Sequence, residues 1–77
     1  MPALEKVARA LCRHAGNPEN TKFEGRPMWE SYLPEAQVVI AALSDPDAAM
    51  ITAATDKARQ IGAGDFVGIW RAMLSAG

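Results

Sequence analysis

The chain has 77 residues, of which 49% are apolar and 22% charged, and its formal net charge at pH 7 is −1. These values predict one small globular domain, and the near-neutral charge disfavours a dedicated nucleic-acid binder, which is usually clearly basic. Cys12 has no second cysteine to pair with, so a reducing, cytoplasmic location is the simplest interpretation. We expect neither a secretion signal nor a membrane span.

The first predicted helix covers residues 2–15. Its apolar side chains repeat at helical spacing and share one face: Leu4, Val7, Ala8, Leu11 and Ala15. Lys6, Arg9 and Arg13 form a basic stripe on the opposite face. Glu5 and Arg9 stand four residues apart, a spacing that favours an ion pair on a helix. Gly16 suits the position just past the helix end.

Residues 16–27 are predicted as a loop. Two prolines, two asparagines and two glycines interrupt any apolar period in this stretch. The loop is long for so small a domain, and we expect Phe23 to anchor it to the core.

The second helical segment runs from about Met28 to Leu43, where apolar residues recur at spacings of four and three. Pro34 interrupts it, since proline removes a backbone donor and disfavours helical geometry in the preceding residue. Two outcomes stay open. Either a short turn precedes a helix that starts near Pro34, or one helix is kinked there. A kinked or broken single element is favoured.

The third helix is expected to begin with Asp45 as its N-cap and Pro46 at its first position. An alternative start is a variant capping box formed by Ser44 and Asp47. The helix is expected to run to about Gln60, with Gly62 as its C-terminal cap.

The fourth helix, residues 66–75, is expected to start after an N-cap at Asp65. Phe66, Ile69, Trp70 and Met73 stand at i, i+3, i+4 and i+7 and are predicted to form its buried face.

Several segments together resemble known sequences. The segments are Trp29-x-x-Tyr32-Leu33-Pro34-Glu35-Ala36, Asp45-Pro46-Asp47-Ala48-Ala49-Met50, Ile69-Trp70-Arg71-Ala72-Met73-Leu74 and, near the N-terminus, Val7-Ala8-Arg9-Ala10-Leu11-Cys12. The set resembles a group of small uncharacterised helical proteins from phages and alphaproteobacteria. That resemblance implies a phage- or prophage-associated context and carries no activity or catalytic residues with it.

Residue patterns typical of enzymes are weak in this chain. Cys12 and His14 would point in different directions on a helix and have no further histidine or cysteine to complete a metal site. Gly62-Ala63-Gly64 lacks the lysine and the hydroxyl residue of a phosphate-binding loop. We therefore expect no catalytic residues, no cofactor, no metal and no enzymatic activity.

The candidate partner-binding residues are the basic stripe and one aromatic side chain: Lys6, Arg9, Arg13 and Tyr32. A solvated helix face is the simpler explanation of the stripe, because amphipathic helices carry their charges there. Tyr32 is expected to be half exposed beside the apolar stripe of its segment, and tyrosine is enriched at binding hot spots.

The sequence thus predicts an all-α fold, a single domain of three to four short helices in an orthogonal or antiparallel bundle. Its expected core residues are Leu4, Val7, Leu11, Trp29, Leu33, Ile40, Leu43, Met50, Ile61, Phe66, Ile69, Trp70 and Met73. The favoured function is a non-enzymatic protein–protein interaction module. The partner is an unidentified protein, with a homodimer as one form of it, and neither nucleic acid nor a membrane is expected. The alternative function is a helix-turn-helix-like DNA-binding protein, formed by the third and fourth helices.

Overall fold

The computed structural model describes residues 2–76 and is 69% helical, which confirms the predicted all-α class. Its four α-helices are α1 (Ala3–His14), α2 (Leu33–Leu43), α3 (Ala48–Ile61) and α4 (Phe66–Ser75). A 3₁₀ helix, Met28–Tyr32, directly precedes α2. Two short antiparallel strands, β1 (Lys22–Phe23) and β2 (Arg26–Pro27), form a hairpin within the connection after α1.

Helix α1 forms as its sequence predicts. Pro2 is the N-cap residue, and Gly16 follows the helix with φ +84°, a conformation that glycine adopts without strain. The Glu5 carboxylate lies 3.5 Å from Nε of Arg9, so the expected i,i+4 pair is present.

The predicted loop 16–27 is only partly irregular, because it contains the β1–β2 hairpin. Glu24 and Gly25 connect the strands with φ values of 52° and 81°, and two positive φ angles are what a type I′ hairpin turn requires. The hairpin is not predicted from the sequence because glutamate is a rare residue at a positive φ. Phe23 is 50% exposed, so the expectation that it anchors the loop to the core is wrong.

The segment from Met28 to Leu43 shows the first of the two outcomes left open, a short turn followed by a separate helix. The chain makes one stretch of 3₁₀ helix up to Tyr32, and α2 begins at Leu33 with Pro34 in its first turn. Proline is tolerated there because the first backbone N–H groups of a helix have no partner within the helix.

Helix α3 starts two residues later than the favoured prediction. Its N-cap is Asp47, whose Oδ1 accepts a hydrogen bond of 2.8 Å from the backbone N–H of Met50. The prediction of an Asp45 cap with Pro46 as the first helical residue is therefore wrong. The C-terminal end is as predicted: Gly62 has φ +91° and its N–H donates to the carbonyl of Ala58.

Helix α4 is capped by Asp65, as its sequence predicts. The Asp65 carboxylate accepts a 3.0 Å hydrogen bond from the N–H of Gly68. Both Asp47 and Asp65 thus satisfy an N–H group three residues ahead, in the geometry expected of a helix N-cap.

The chain forms two compact units, Met1–Asp45 and Pro46–Gly77. In the first unit α1 packs against the 3₁₀ helix and α2, and in the second α3 packs against α4. Ala8, Cys12 and Ala36 are the fully buried residues among residues 2–76, and all three belong to the first unit. The single domain expected from the sequence stays a prediction.

Ten of the thirteen expected core residues are half-buried, and three are exposed. The exposed ones are Ile61 at 40%, Trp70 at 45% and Phe66 at 77%, so their assignment to the core is wrong. All three belong to the second unit, where two helices offer each other only one covered face. Replacing Trp70 with alanine is therefore expected to cost less stability than the loss of a core tryptophan.

The position of the α3 cap gives a direct test of the fold. Asp47→Ala removes the acceptor for the Met50 N–H, and we expect the free energy of unfolding to fall by about 1 kcal/mol. Asp45→Ala, a matched change two residues earlier, is expected to stay within about 0.5 kcal/mol of the original chain. Urea titrations followed by circular dichroism measure both values. A larger effect at Asp45 than at Asp47 would contradict the assignment.

Candidate protein-binding surface

The basic stripe predicted on α1 is largely engaged by the chain itself. Nη1 of Arg9 lies 3.3 Å from Oε1 of Glu19 and donates to Oδ1 of Asn20 at 3.2 Å. The guanidinium also stacks over the Trp29 ring, 4.8 Å from its centroid. Only 22% of the Arg9 side chain is accessible. Arg9 therefore ties the segment after α1 and the 3₁₀ helix to one helix face through ion-pair and cation–π contacts.

The remaining stripe residues differ in how they are held. Nε of Arg13 lies 3.3 Å from Oε2 of Glu19, so one carboxylate bridges both arginines. Lys6 is exposed. The stripe is thus partly neutralised, which leaves less positive charge for an acidic partner than its sequence suggests. Partner binding by Lys6, Arg9 and Arg13 stays a prediction.

Tyr32 is half-buried, as expected, and its hydroxyl accepts a 2.7 Å hydrogen bond from Nδ2 of Asn17. The backbone N–H of Asn17 in turn donates to the carbonyl of Cys12 at the end of α1. Tyr32 therefore holds the loop in place, and its use in partner binding stays a prediction.

Four of the six large exposed apolar side chains in the described part of the second unit lie on α4, and the other two, Ile51 and Ile61, lie on α3. The four on α4 share an arc of about 100° at the helical rotation of 100° per residue. They are Phe66 (77% exposed), Val67 (61%), Trp70 (45%) and Leu74 (46%), and we call them the outer α4 face. Arg71 borders this face and is exposed. Two aromatic rings, two aliphatic side chains and a flanking cation form the kind of surface that protein partners bind.

The opposite side of α4 packs against α3 and consists of smaller or half-buried residues: Gly68, Ile69, Ala72 and Met73. A Cβ atom at Gly68 would lie 2.6 Å from Cδ1 of Ile61 and 3.0 Å from Oδ2 of Asp65. Glycine at this position therefore leaves room for the end of the Ile61 side chain. Both aromatic residues of α4 lie on the outer face.

The outer α4 face is not predicted from the sequence because apolar residues lie on both sides of α4, so their spacing does not distinguish the inner side from the outer side. Only Arg71 and Ser75 among its ten residues carry polar side chains. The predicted inner face, drawn at i, i+3, i+4 and i+7, took in Phe66 and Trp70 and left out Val67 and Leu74. The signal that identifies the outer face is the continuation of apolar residues around the whole helix, which is typical of a helix covered on both sides.

Each unit has a shallow depression on its described surface. The first lies beside the hairpin and is lined by Phe23, Glu24, Arg26, Glu30 and Ser31. The second runs between α3 and α4 and is lined by Lys57, Ile61, Asp65, Gly68, Arg71, Ala72 and Ser75. Both are lined by charged side chains of either sign.

The described residues hold neither a metal-binding cluster nor a single membrane-spanning helix. In the part of the chain from 2 to 76, no three histidine, cysteine or acidic residues come together as a metal site. No single helix in that part has both the length and the apolar composition to cross a bilayer. The consecutive segments Met28–Leu43 and Ala48–Ile61 reach both only when taken together.

Comparison with protein-family models, with curated proteins and with solved structures gave no match to this chain.

The Glu19 bridge yields a test of what holds the first unit together. Glu19→Gln removes the charge shared by Arg9 and Arg13, and we expect the free energy of unfolding to fall by about 1 kcal/mol, because hydrogen bonds to charged groups are stronger than neutral ones. Urea titration measures the change. Salt at about 0.5 M should reduce the difference by screening the charges.

Glu24→Gln is the matched control, since Glu24 is exposed at the hairpin turn. We expect it to change the free energy of unfolding by less than about 0.5 kcal/mol. Equal effects of the two substitutions would refute a special role for Glu19.

Proposed function

We propose that this protein is a non-enzymatic protein–protein interaction module and that its contact surface is the outer α4 face. The occupant is an apolar helix of a protein partner, packed along Phe66, Trp70 and Leu74. The observation that carries the proposal is that α4 is apolar on both sides, whereas α3 covers only one of them.

Physical chemistry supports a protein as the occupant. A helix that is hydrophobic all round is stable in water only when neighbouring chain covers it. Phe66 and Trp70 are large, rigid and mostly or half exposed, and aromatic side chains supply much of the binding energy at protein interfaces. Arg71 at the border provides a charged rim residue, which favours a partner with a carboxylate beside its apolar ridge.

The alternative of helix-turn-helix-like DNA binding has less support. In that interpretation α4 is the recognition helix, yet Arg71 is the only basic residue within Phe66–Ser75 and the exposed surface around it is apolar. Binding to phosphates depends on several lysine or arginine side chains on one surface. A phage- or prophage-associated role belongs to the proposal on the strength of the sequence resemblance alone.

The proposal is tested by changing the face without disturbing α4. Phe66→Glu places a charge on the outer α4 face at the first position of the helix, where the helix dipole favours an acidic side chain. Val38→Glu is the matched control, because Val38 is 70% exposed on α2 in the other unit. Circular dichroism should show equal helix content for both variants and the original chain.

The immobilised chain is exposed to lysate, and each captured protein is identified, purified and titrated against the three forms by calorimetry. We expect Phe66→Glu to weaken binding at least about tenfold, as for a hot-spot residue, and Val38→Glu to leave it unchanged. A purified partner that binds all three forms with the same affinity would rule out the outer α4 face as the contact surface.

A further inference from the structure

We infer that the occupant of the outer α4 face is a second copy of this chain, paired through α4 about a two-fold axis at Trp70. The inference rests on the proposed function, because it names the partner for the same face.

The face is complementary to itself. Phe66 precedes Trp70 by four residues and Leu74 follows it by four, so these side chains form one i±4 ridge. A two-fold axis at Trp70 places the ridge of the second copy in the opposite direction. Phe66 of each copy then contacts Leu74 of the other copy. Ridges of this kind interdigitate in the commonest class of helix packing, and a dimer with two-fold symmetry uses the same patch twice.

The α3–α4 unit also lacks a core of its own. Among its described residues, 46–76, none is fully buried. Units below about 40 residues usually need a disulfide, a metal or a second chain to be stable. Residues 46–76 contain no cysteine and, as far as they are described, no metal-binding cluster, so a second chain is a means open to this unit. Two such helix pairs joined through α4 place each α4 between its own α3 and the other copy's α4.

The exposed area agrees with a weak dimer. With about 200 Å² for each fully exposed large side chain, the exposed fractions of the four residues of the outer α4 face correspond to roughly 450 Å² per copy. Two copies then bury about 900 Å², and flanking side chains bring the total near the ~1,000 Å² expected of a specific interface. We therefore expect pairing at micromolar concentration.

The charges of the unit permit the pairing. Residues 46–76 hold three acidic side chains, Asp47, Asp56 and Asp65, and three basic ones, Lys57, Arg59 and Arg71. The net charge of the unit is zero, and the outer α4 face itself has no charged member. Two copies consequently meet without net repulsion.

Sedimentation of the full chain across a concentration series from about 5 to about 500 µM tests the inference. We expect the mass to rise from 8.2 kDa towards twice that value. Phe66→Glu alone and Leu74→Lys alone should each weaken pairing at least tenfold. Val38→Glu should pair as the original chain does.

The opposed positions allow a sharper experiment. In an equal mixture of the Phe66→Glu and Leu74→Lys variants, one end of the interface joins the introduced acid to the introduced base and the other keeps its original phenylalanine–leucine contact. We expect the mixture to pair at least tenfold more strongly than either variant alone. A dimer that forms without this recovery, or that ignores Phe66→Glu, would overturn the proposed arrangement.

Failure of this inference can be told apart from failure of the proposed function. A chain that stays at 8.2 kDa up to 500 µM refutes the second copy. If that monomer still binds a purified protein in a manner sensitive to Phe66→Glu, the interaction module stands with another occupant. A monomer without such binding refutes both.

Discussion

A helix that is apolar on both sides needs two neighbours, and within its own unit α4 has one, the helix α3. Its packed side faces α3 with glycine, alanine and half-buried isoleucine and methionine, while its outer side presents Phe66, Val67, Trp70 and Leu74. Water is a poor environment for that outer side. The stability of the second unit and the proposed contact with a partner therefore depend on the same surface.

The first unit is stabilised by a small buried core and by polar contacts around one arginine. Its fully buried residues are two alanines and one cysteine, which together form a modest core. Contacts around Arg9 supplement it, because the guanidinium connects Glu5, Glu19 and the ring of Trp29. Such contacts are directional, and they determine where the segment after α1 lies as well as how firmly it is held.

The sequence predicts helices where local signals agree. Gly62 and Asp65 mark the end of α3 and the start of α4, and both act in the structure as their residue types suggest. At the start of α3 two acidic residues, Asp45 and Asp47, are candidate N-caps. The structure uses Asp47, whose carboxylate accepts a hydrogen bond from the Met50 N–H, although the Asp45–Pro46 pair is the stronger start signal in the sequence. The hairpin turn at Glu24 and Gly25 carries too weak a local signal to be predicted.

The inner side of α4 cannot be read from periodicity, because apolar residues surround the helix. The structure locates it through Gly68, where a Cβ atom would lie 2.6 Å from Cδ1 of Ile61 at the end of α3. Gly68 therefore lies against α3, and Phe66 and Trp70 lie on the exposed side of the helix.

The side of α4 packed against α3 carries Gly68 and Ala72 together with the half-buried Ile69 and Met73. The other side carries both aromatic residues, Phe66 and Trp70, which are exposed. The arrangement separates the roles of one helix. One side joins the helix to α3, and in the proposed contact the other side is covered by a protein partner, where the apolar area that it buries contributes to binding.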